Sequence, residues 1–163
     1  MSLELQNQEE KILNDSWILW YHDPNDVNWE LKSYKQVSEI KTISDFWNTY
    51  EFIQNNIIEN SMFFIMREGI EPLWEDPQNV NGGCWSFKIS KGNIKKYWTE
   101  LSIYLLGENI TKKEKLVNGL SISPKKTFCI IKIWNNDKKS NDKNLLNKKI
   151  DIPFESCIYK QHK

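Results

Sequence analysis

The 163-residue sequence lacks the residues on which several common classes of protein function depend. It has two histidines and three cysteines, and its 22 basic side chains are matched by 22 acidic ones. It contains no G-x-S-x-G nucleophile motif, no phosphate-binding P-loop and no dinucleotide-binding G-x-G-x-x-G. A net charge of zero argues against a broad nucleic-acid surface, although it leaves room for a small, focused anion site. No catalytic residue, cofactor or metal site is therefore predicted, and we do not expect an enzyme.

The sequence also lacks any apolar run near the ~20 residues that a membrane-spanning helix needs, so no membrane association is predicted. The three cysteines, Cys84, Cys129 and Cys157, are odd in number, and no spacing among them resembles a zinc motif. No secretory signal precedes them. These features predict a reduced, cytoplasmic protein, and nothing in the sequence suggests more than a monomer.

What the sequence has in excess is tryptophan, with eight residues in one small chain. A chain of this length is expected to form one domain with a substantial core. Such a core hardly needs eight indoles, so some of them should serve another purpose. We predict a flexible N-terminal segment, residues 1–15, followed by a single domain, residues 16–163.

Alternation of apolar and polar residues predicts seven strands, and helical periodicity predicts two helices. The predicted strands are 16–22, 33–40, 61–68, 84–90, 118–125, 127–134 and 156–161. The predicted helices are 42–56, with Ser44 as its N-cap, and 93–107, while 137–149 is a charged linker with a short helix. Antiparallel strands with helices between them predict the α+β class, with a single curved antiparallel sheet, helices packed on the convex face and a concave face open to a ligand.

Two tryptophans lie in predicted loops rich in Pro, Asn, Asp and Gly. Trp29 follows DPNDVN, and Trp74 lies in IEPLWEDPQNVNGGCW, residues 70–85. Each could be a buried plug that anchors its own loop. Each could instead be a platform on which a purine stacks, a contact worth roughly 1–3 kcal/mol per base.

Glu75 follows Trp74 directly and supplies a carboxylate, which can only accept hydrogen bonds. The Watson–Crick edge of guanine offers two parallel donors, so the pair would be bidentate and charge-assisted. Adenine has an acceptor at N1 and would be rejected. A stacking Trp beside Glu75 therefore predicts a site that recognises guanine. The alternative is that Glu75 is a solvated acid of the loop.

Together these segments resemble the eukaryotic translation initiation factor 4E family, which binds the 7-methylguanosine cap of mRNA. The likeness covers about residues 12–163. It is carried by WILWYHDPNDVNWELK, TISDFWNTY, GIEPLWEDPQNVNGGCW, YWTELSIYLLGE and NGLSIS…IIKIW, of which the second tryptophan loop is the most specific.

The resemblance implies a role for each residue of a cap site. Trp29 and Trp74 would sandwich the methylated base, Glu75 would read its Watson–Crick edge, and Trp134 would touch the N7-methyl group. Methylation at N7 makes the base cationic, so two indole faces and a carboxylate would select the cap over GTP chiefly by charge.

The positions that bind phosphate depart from the family pattern. Where the family has three basic residues, this chain has Cys84, Lys125 and Ile130, so only Lys125 is retained. Lys132 lies on the same strand face as Ile130 and could substitute for the basic residue that the family has at position 130. We expect weaker triphosphate binding, or a preference for a differently substituted cap whose apolar groups lie near Cys84 and Ile130.

The resemblance also implies a second binding surface on the helices. Trp47 would receive an amphipathic helix from the scaffold factor 4G or from a repressor protein. Ile43, Glu100 and Ile103 match neighbouring positions of that groove. The implied function is to bind capped mRNA and to recruit it to the translation initiation machinery.

Two other functions stay open at this point. One is a cap-binding translational repressor or decoy that is not coupled to the scaffold, because Thr99 replaces a family leucine in the groove. The other, more distant, is a carbohydrate-processing enzyme in which tryptophans stack sugars and Glu75 serves as the acid.

Overall fold

One seven-stranded antiparallel sheet organises the chain. The structure is a computed structural model and describes residues 11–53 and 55–163. The strands are β1 (Ile12–His22), β2 (Tyr34–Thr42), β3 (Met62–Arg67), β4 (Gly83–Ser90), β5 (Val117–Pro124), β6 (Phe128–Asn135) and β7 (Ile158–Gln161). The helices are α1 (Ile43–Phe52), α2 (Asn55–Ile58) and α3 (Ile94–Leu106). The strands lie in the order β2-β1-β3-β5-β6-β4-β7, and the predicted α+β class with one curved antiparallel sheet is confirmed.

β1 begins at Ile12, four residues before the predicted strand, and residues 12–15 therefore belong to the sheet. Asp15 is held there because its carboxylate lies 2.9 Å from the guanidinium of the buried Arg67, which Glu108 also binds. Partial burial alone would raise the pKa of Asp15, but hydrogen bonds from Arg67 and the Ser16 amide bring it below its usual value. The rest of the predicted flexible segment, residues 1–10, lies outside the described residues.

The first helix differs from the prediction at both ends. Its N-cap is Thr42 rather than Ser44: the Thr42 hydroxyl accepts from the Asp45 amide, and the Asp45 carboxylate accepts from the Thr42 amide. This reciprocal capping box fixes the start two residues earlier than Ser44 would. The helix ends at Phe52 because Ile53 adopts an extended backbone and buries its side chain. The linker 137–149 contains a 3-10 turn, Lys143–Leu145, where a short helix was predicted.

Alternation along the strands separates two apolar layers. The larger layer packs against the helices and includes Trp85 and Trp98. The smaller layer lies on the opposite face and consists of Ile18, Trp20, Phe64, Met66, Ile70, Cys84 and Trp134. Cys84 pairs with Trp134 across β4 and β6, and both side chains lie in this smaller layer. In the described part of the chain, no helix is long and apolar enough to cross a membrane.

Candidate functional site

A cavity of about 480 Å³ opens on the sheet face that the helices leave uncovered, and this volume is typical of small-molecule sites. Its walls come from the loop between β1 and β2, the loop between β3 and β4, and side chains of β3, β5 and β6. All six residues predicted to contact the cap line this cavity: Trp29, Trp74, Glu75, Lys125, Lys132 and Trp134.

Trp29 lies on the wall formed by the β1–β2 loop and is half exposed. One face of its indole is covered by the ring of His22, which is parallel to it within 9° at a centroid distance of 4.2 Å. His22 is itself fully buried, and its Nε2 lies 2.7 Å from the carbonyl oxygen of Asn28 in the same loop. The backing ring holds Trp29 in place and leaves its other face free for a ligand. His22 was not among the predicted site residues.

Trp74 lies on the opposite loop, where its side chain is 46% exposed. The loop is held from inside by two buried polar residues. The Asp76 carboxylate accepts from the amides of Glu71 and Gln78 at 2.9 and 2.8 Å. The Asn79 side chain donates to the carbonyls of Glu71 and Leu73 at 3.1 and 2.9 Å. Because these bonds pair the backbone amides and carbonyls of the loop, the loop does not need Trp74 as an anchor, and Trp74 stays at the surface.

The adjacent acids Glu75 and Asp76 therefore have separate positions. Asp76 is buried beneath the loop, while Glu75 is exposed and lines the cavity. Tyr34 of β2, which the sequence did not single out, lines the same cavity. Burial, and then the nearby negative charge of Glu75, raise the pKa of the Tyr34 phenol to about 12, so it remains a neutral hydrogen-bond donor.

Trp134 forms the floor of the cavity and is 7% exposed. Its indole N–H donates to the hydroxyl of Ser121 at 2.9 Å, and Phe64 packs edge-on against it at 6.3 Å between centroids. The indole N–H is thus satisfied within the protein, and the ring offers apolar surface to whatever enters. This position suits contact with a small apolar group rather than stacking.

Lys125 and Lys132 lie at the rim of the cavity. Across residues 11–53 and 55–163, no carboxylate lies within 4.0 Å of either ammonium group. Lys88 of β4 is engaged elsewhere, with its ammonium 4.3 Å from the ring centre of Phe128. Two cations are therefore available beside the aromatic part of the site.

Cys84 and Ile130, the two positions that lack the family's basic residues, are not among the residues that line the cavity. Cys84 is buried, and its Sγ lies 3.9 Å from Nε2 of His162, whose ring packs against Trp134. Burial raises the pKa of the Cys84 thiol to about 12, although the nearby charge of Lys132 opposes the shift. The thiol is neutral, and it belongs to the apolar layer beneath the site.

The arrangement of these loops and strands is that of a known family. The family model described as "Eukaryotic initiation factor 4E" matches residues 12–163. The chain belongs to the eukaryotic initiation factor 4E family. Translation initiation factor 4E-3 of Caenorhabditis elegans is 30% identical over 93% of this chain and 66% of its own length. Factor 4E-2 of Schizosaccharomyces pombe is 30% identical over 90% of this chain and 61% of its own length. The chain thus spans less than two thirds of each of these two relatives.

Solved structures of initiation factor 4E share the fold. The complex of C. elegans eIF4E-3 with the 4E-binding protein Mextli matches with a TM-score of 0.82 and 29% identity, over 94% of each chain. The complex of Ascaris suum eIF4E-3 with m2,2,7G cap matches with a TM-score of 0.82 and 29% identity, over 94% of this chain and 92% of that one. The predicted family and the predicted sheet are both confirmed.

The second predicted surface of this initiation factor 4E chain lies on the helices, on the opposite side of the sheet from the cavity. Trp47 of α1 is 43% exposed and Ile103 of α3 is 47% exposed, while Ile43 and Glu100 are half-buried. The two helices are neighbours, because the ammonium of Lys95 on α3 lies 4.8 Å from the ring centre of Tyr50 on α1. The structure therefore leaves apolar surface exposed on both helices.

Proposed function

We propose that this chain binds the 7-methylguanosine cap of mRNA in the cavity between Trp29 and Trp74. We further propose that it acts in the cytoplasm as a monomer and recruits the capped mRNA to the initiation machinery. One observation carries the proposal: two exposed indoles, an exposed carboxylate, a buried indole and two cations converge on a single cavity. The cap complex of the Ascaris relative supports the ligand class.

The free faces of Trp29 and Trp74 would stack on the two sides of the methylated guanine. Each stacking contact is worth roughly 1–3 kcal/mol, and the cationic base adds about 0.5–2 kcal/mol through its attraction to the indole. Glu75 would accept from N1–H and the exocyclic amine, which are charge-assisted bonds. Trp134, beneath them, would contact the N7-methyl group, since its polar N–H is already satisfied.

The phosphate bridge of the cap would run along the rim that carries Lys125 and Lys132. With Cys84 neutral and buried, these two lysines are the cations that line the cavity within the described residues. Phosphate binding in this chain should therefore be weaker and less dependent on salt than a site with three cations would show.

The cavity supports binding rather than catalysis. Among the described residues that line it, Glu75 is the only carboxylate. Sugar hydrolysis by acid and base needs two carboxyl groups roughly 5–9 Å apart, so the carbohydrate-processing alternative lacks its second group. We propose that the chain is not an enzyme.

The partner surface would be the groove formed by Ile43, Trp47, Glu100 and Ile103. An amphipathic helix of a scaffold factor 4G, or of a repressor protein, would place its apolar side against Trp47 and Ile103. The complex of the C. elegans relative with the 4E-binding protein Mextli supports a protein partner. Apolar side chains that stay exposed on both helices favour recruitment over a decoy that lacks a partner.

The three exposed tryptophans make a matched set for testing both surfaces. Trp29→Ala and Trp74→Ala should each lose most retention on 7-methylguanosine resin, because half a sandwich loses one stacking face. Trp47→Ala removes an equally exposed indole from the other side of the sheet and should keep retention while losing an amphipathic scaffold peptide.

The wild-type protein should elute from the resin with free 7-methylguanosine nucleotide and much less readily with GTP. Equal elution by the two nucleotides would show that charge does not select the base. Loss of resin binding in Trp47→Ala, with folding intact, would contradict the separation of the two surfaces.

A further inference from the structure

A second, larger cavity lies at the opposite end of β5 from the proposed cap site. Its volume is about 690 Å³, and two segments line it: residues 109–116, which lead into β5, and residues 144–149, which follow β6. Among the described residues, no carboxylate lines this second cavity. Four lysines line it: Lys112, Lys113, Lys148 and Lys149. We call it the lysine cavity.

The lysine cavity is built on a packed frame. Thr111 and Leu146 form a β-bridge, and the amide of Asn147 donates to the carbonyl of Ile110 at 2.8 Å. The side chain of Asn147 also donates to the carbonyl of Asn109 at 3.0 Å. Ile110 and Leu146 are buried in the larger apolar layer. The lysines therefore project from backbone that the core holds in position, rather than from a free tail.

Charge is unevenly distributed along this neutral chain. Residues 101–163 contain 13 lysines and six acidic residues. Two carboxylates next to these segments in sequence have other partners, since Glu108 binds the buried Arg67 and Asp151 binds Lys96. Glu114 lies within the first segment but does not line the cavity. A zero net charge therefore coexists with a region that is strongly positive.

The ammonium groups of the lysine cavity are only partly engaged. Lys113 lies 3.9 Å from Asp137 in an exposed pair, and Lys148 lies over the ring of Phe154. Lys112 and Lys149 have no carboxylate within 4.0 Å among residues 11–53 and 55–163. Four cations that share one concave surface repel one another, and an anion between them would relieve that repulsion.

We propose that the lysine cavity binds the sugar–phosphate backbone of RNA downstream of the cap. The proposal rests on the proposed cap-binding function, which brings an RNA chain to this protein by its 5′ end. Ammonium groups suit phosphate, and the amides of Asn109, Asn144 and Asn147 offer donors and acceptors to ribose and phosphate oxygens. None of the described residues that line the cavity is aromatic, so contacts there would not depend on base identity.

The position of the lysine cavity sets the length of RNA that it can reach. Leu116 of the lysine cavity and Ser121 of the cap cavity are five residues apart, so the two cavities are separated by at least about 17 Å along the strand at ~3.4 Å per residue. A cap mononucleotide cannot occupy both. A longer capped RNA is tethered by its cap, so weak backbone contacts in the lysine cavity add to its affinity through a high effective concentration.

The test compares Lys112→Gln/Lys149→Gln with Lys35→Gln/Lys41→Gln, which removes the same charge from exposed lysines on β2. Binding is measured by fluorescence anisotropy with an uncapped oligouridylate of about 20 nucleotides and by tryptophan quenching with 7-methylguanosine diphosphate. The Lys112/Lys149 variant should bind the oligouridylate about 25-fold more weakly at 0.1 M salt. Each phosphate contact changes the logarithm of the affinity by about 0.7 for each tenfold change in salt concentration. Two lost contacts therefore lower the affinity at 0.1 M salt by about 1.4 decades relative to 1 M salt, where these contacts are screened.

The same variant should bind 7-methylguanosine diphosphate as well as wild type does, and Lys112→Arg/Lys149→Arg should retain oligouridylate binding. The inference is overturned if the oligouridylate affinity and its salt slope do not change, or if the Lys35/Lys41 control loses as much. It is equally overturned if vesicles containing phosphatidylserine bind through Lys112 and Lys149 while the oligouridylate does not. Failure of the cap proposal is a different result, in which the cap nucleotide does not bind the wild type.

Discussion

The two adjacent acids of the Trp74 loop allow the binding site to be separated from the structure that supports it. Glu75 is exposed in the proposed cap cavity, whereas Asp76 is buried and accepts two backbone amides. We predict that Glu75→Gln weakens cap binding without changing stability, and that Asp76→Ala lowers stability.

The magnitudes follow from the hydrogen bonds that each change removes. Charge-assisted bonds contribute about 1.5–3 kcal/mol, so Glu75→Gln should weaken 7-methylguanosine binding roughly 10- to 150-fold. Asp76→Ala leaves the amides of Glu71 and Gln78 without their acceptor, which should cost about 2–3 kcal/mol of the free energy of unfolding. At about 2–4 °C per kcal/mol for a chain of this size, the melting temperature should fall by about 4–12 °C.

The assay pairs a tryptophan-quenching titration with 7-methylguanosine nucleotide and a thermal melt by circular dichroism. Glu30→Gln is the control, because Glu30 is an exposed acid of the other tryptophan loop, 3.1 Å from Lys32. It removes one negative charge near the cavity and should leave both measurements unchanged. The reasoning is refuted if Glu75→Gln binds like wild type, or if Asp76→Ala melts like wild type.

Three further outcomes are expected. Lys132→Gln should weaken binding of 7-methylguanosine triphosphate and leave the nucleoside unaffected in the same titration, because Lys132 is at the phosphate rim; equal losses for both ligands would contradict this role. Because the pKa of Asp15 is lowered, its contribution to stability is complete above about pH 4 and is lost as the pH falls further. Asp15→Asn should therefore make the free energy of unfolding, measured in denaturant melts, depend less on pH below about pH 4. An unchanged pH dependence would refute the assignment. Gly82→Ala should cost about 1–3 kcal/mol in urea unfolding, because its Cβ would lie 1.9 Å from the carbonyl oxygen of Asn135, whereas Gly92→Ala meets no atom within 4 Å and should cost less.

Much of the fold could be predicted because strand alternation is a local property. Neighbouring residues of a strand, such as Ile133 and Trp134, point to opposite faces. The structure has Ile133 under the helices and Trp134 on the open face. The helix boundaries were less predictable, because Thr42 and Ser44 are both suitable caps. Only the position of the Asp45 carboxylate decides between them.

The candidate site was predictable as a set of residues but not as a set of environments. The tryptophan loops carry recognisable residues, and six predicted positions meet in one cavity. Two contacts could not be predicted from local sequence patterns: the stacking of His22 on Trp29, and the contact of Cys84 with His162. The paired glycines Gly82 and Gly83 are typical of a turn, whereas the structure requires Gly82 for a close approach to Asn135.

The sequence by itself determined the alternation of the strands, the family and the residues available to hold a cap, because periodicity and motif spacing are written along the chain. Only the tertiary structure decided that Asp76 supports the loop while its neighbour Glu75 faces the cavity. It also decided that four lysines of residues 109–116 and 144–149 line one cavity, the lysine cavity, in a protein whose net charge is zero. The reason is that burial and electrostatic potential depend on which distant segments pack together, and that is set by sheet order rather than by neighbours in sequence.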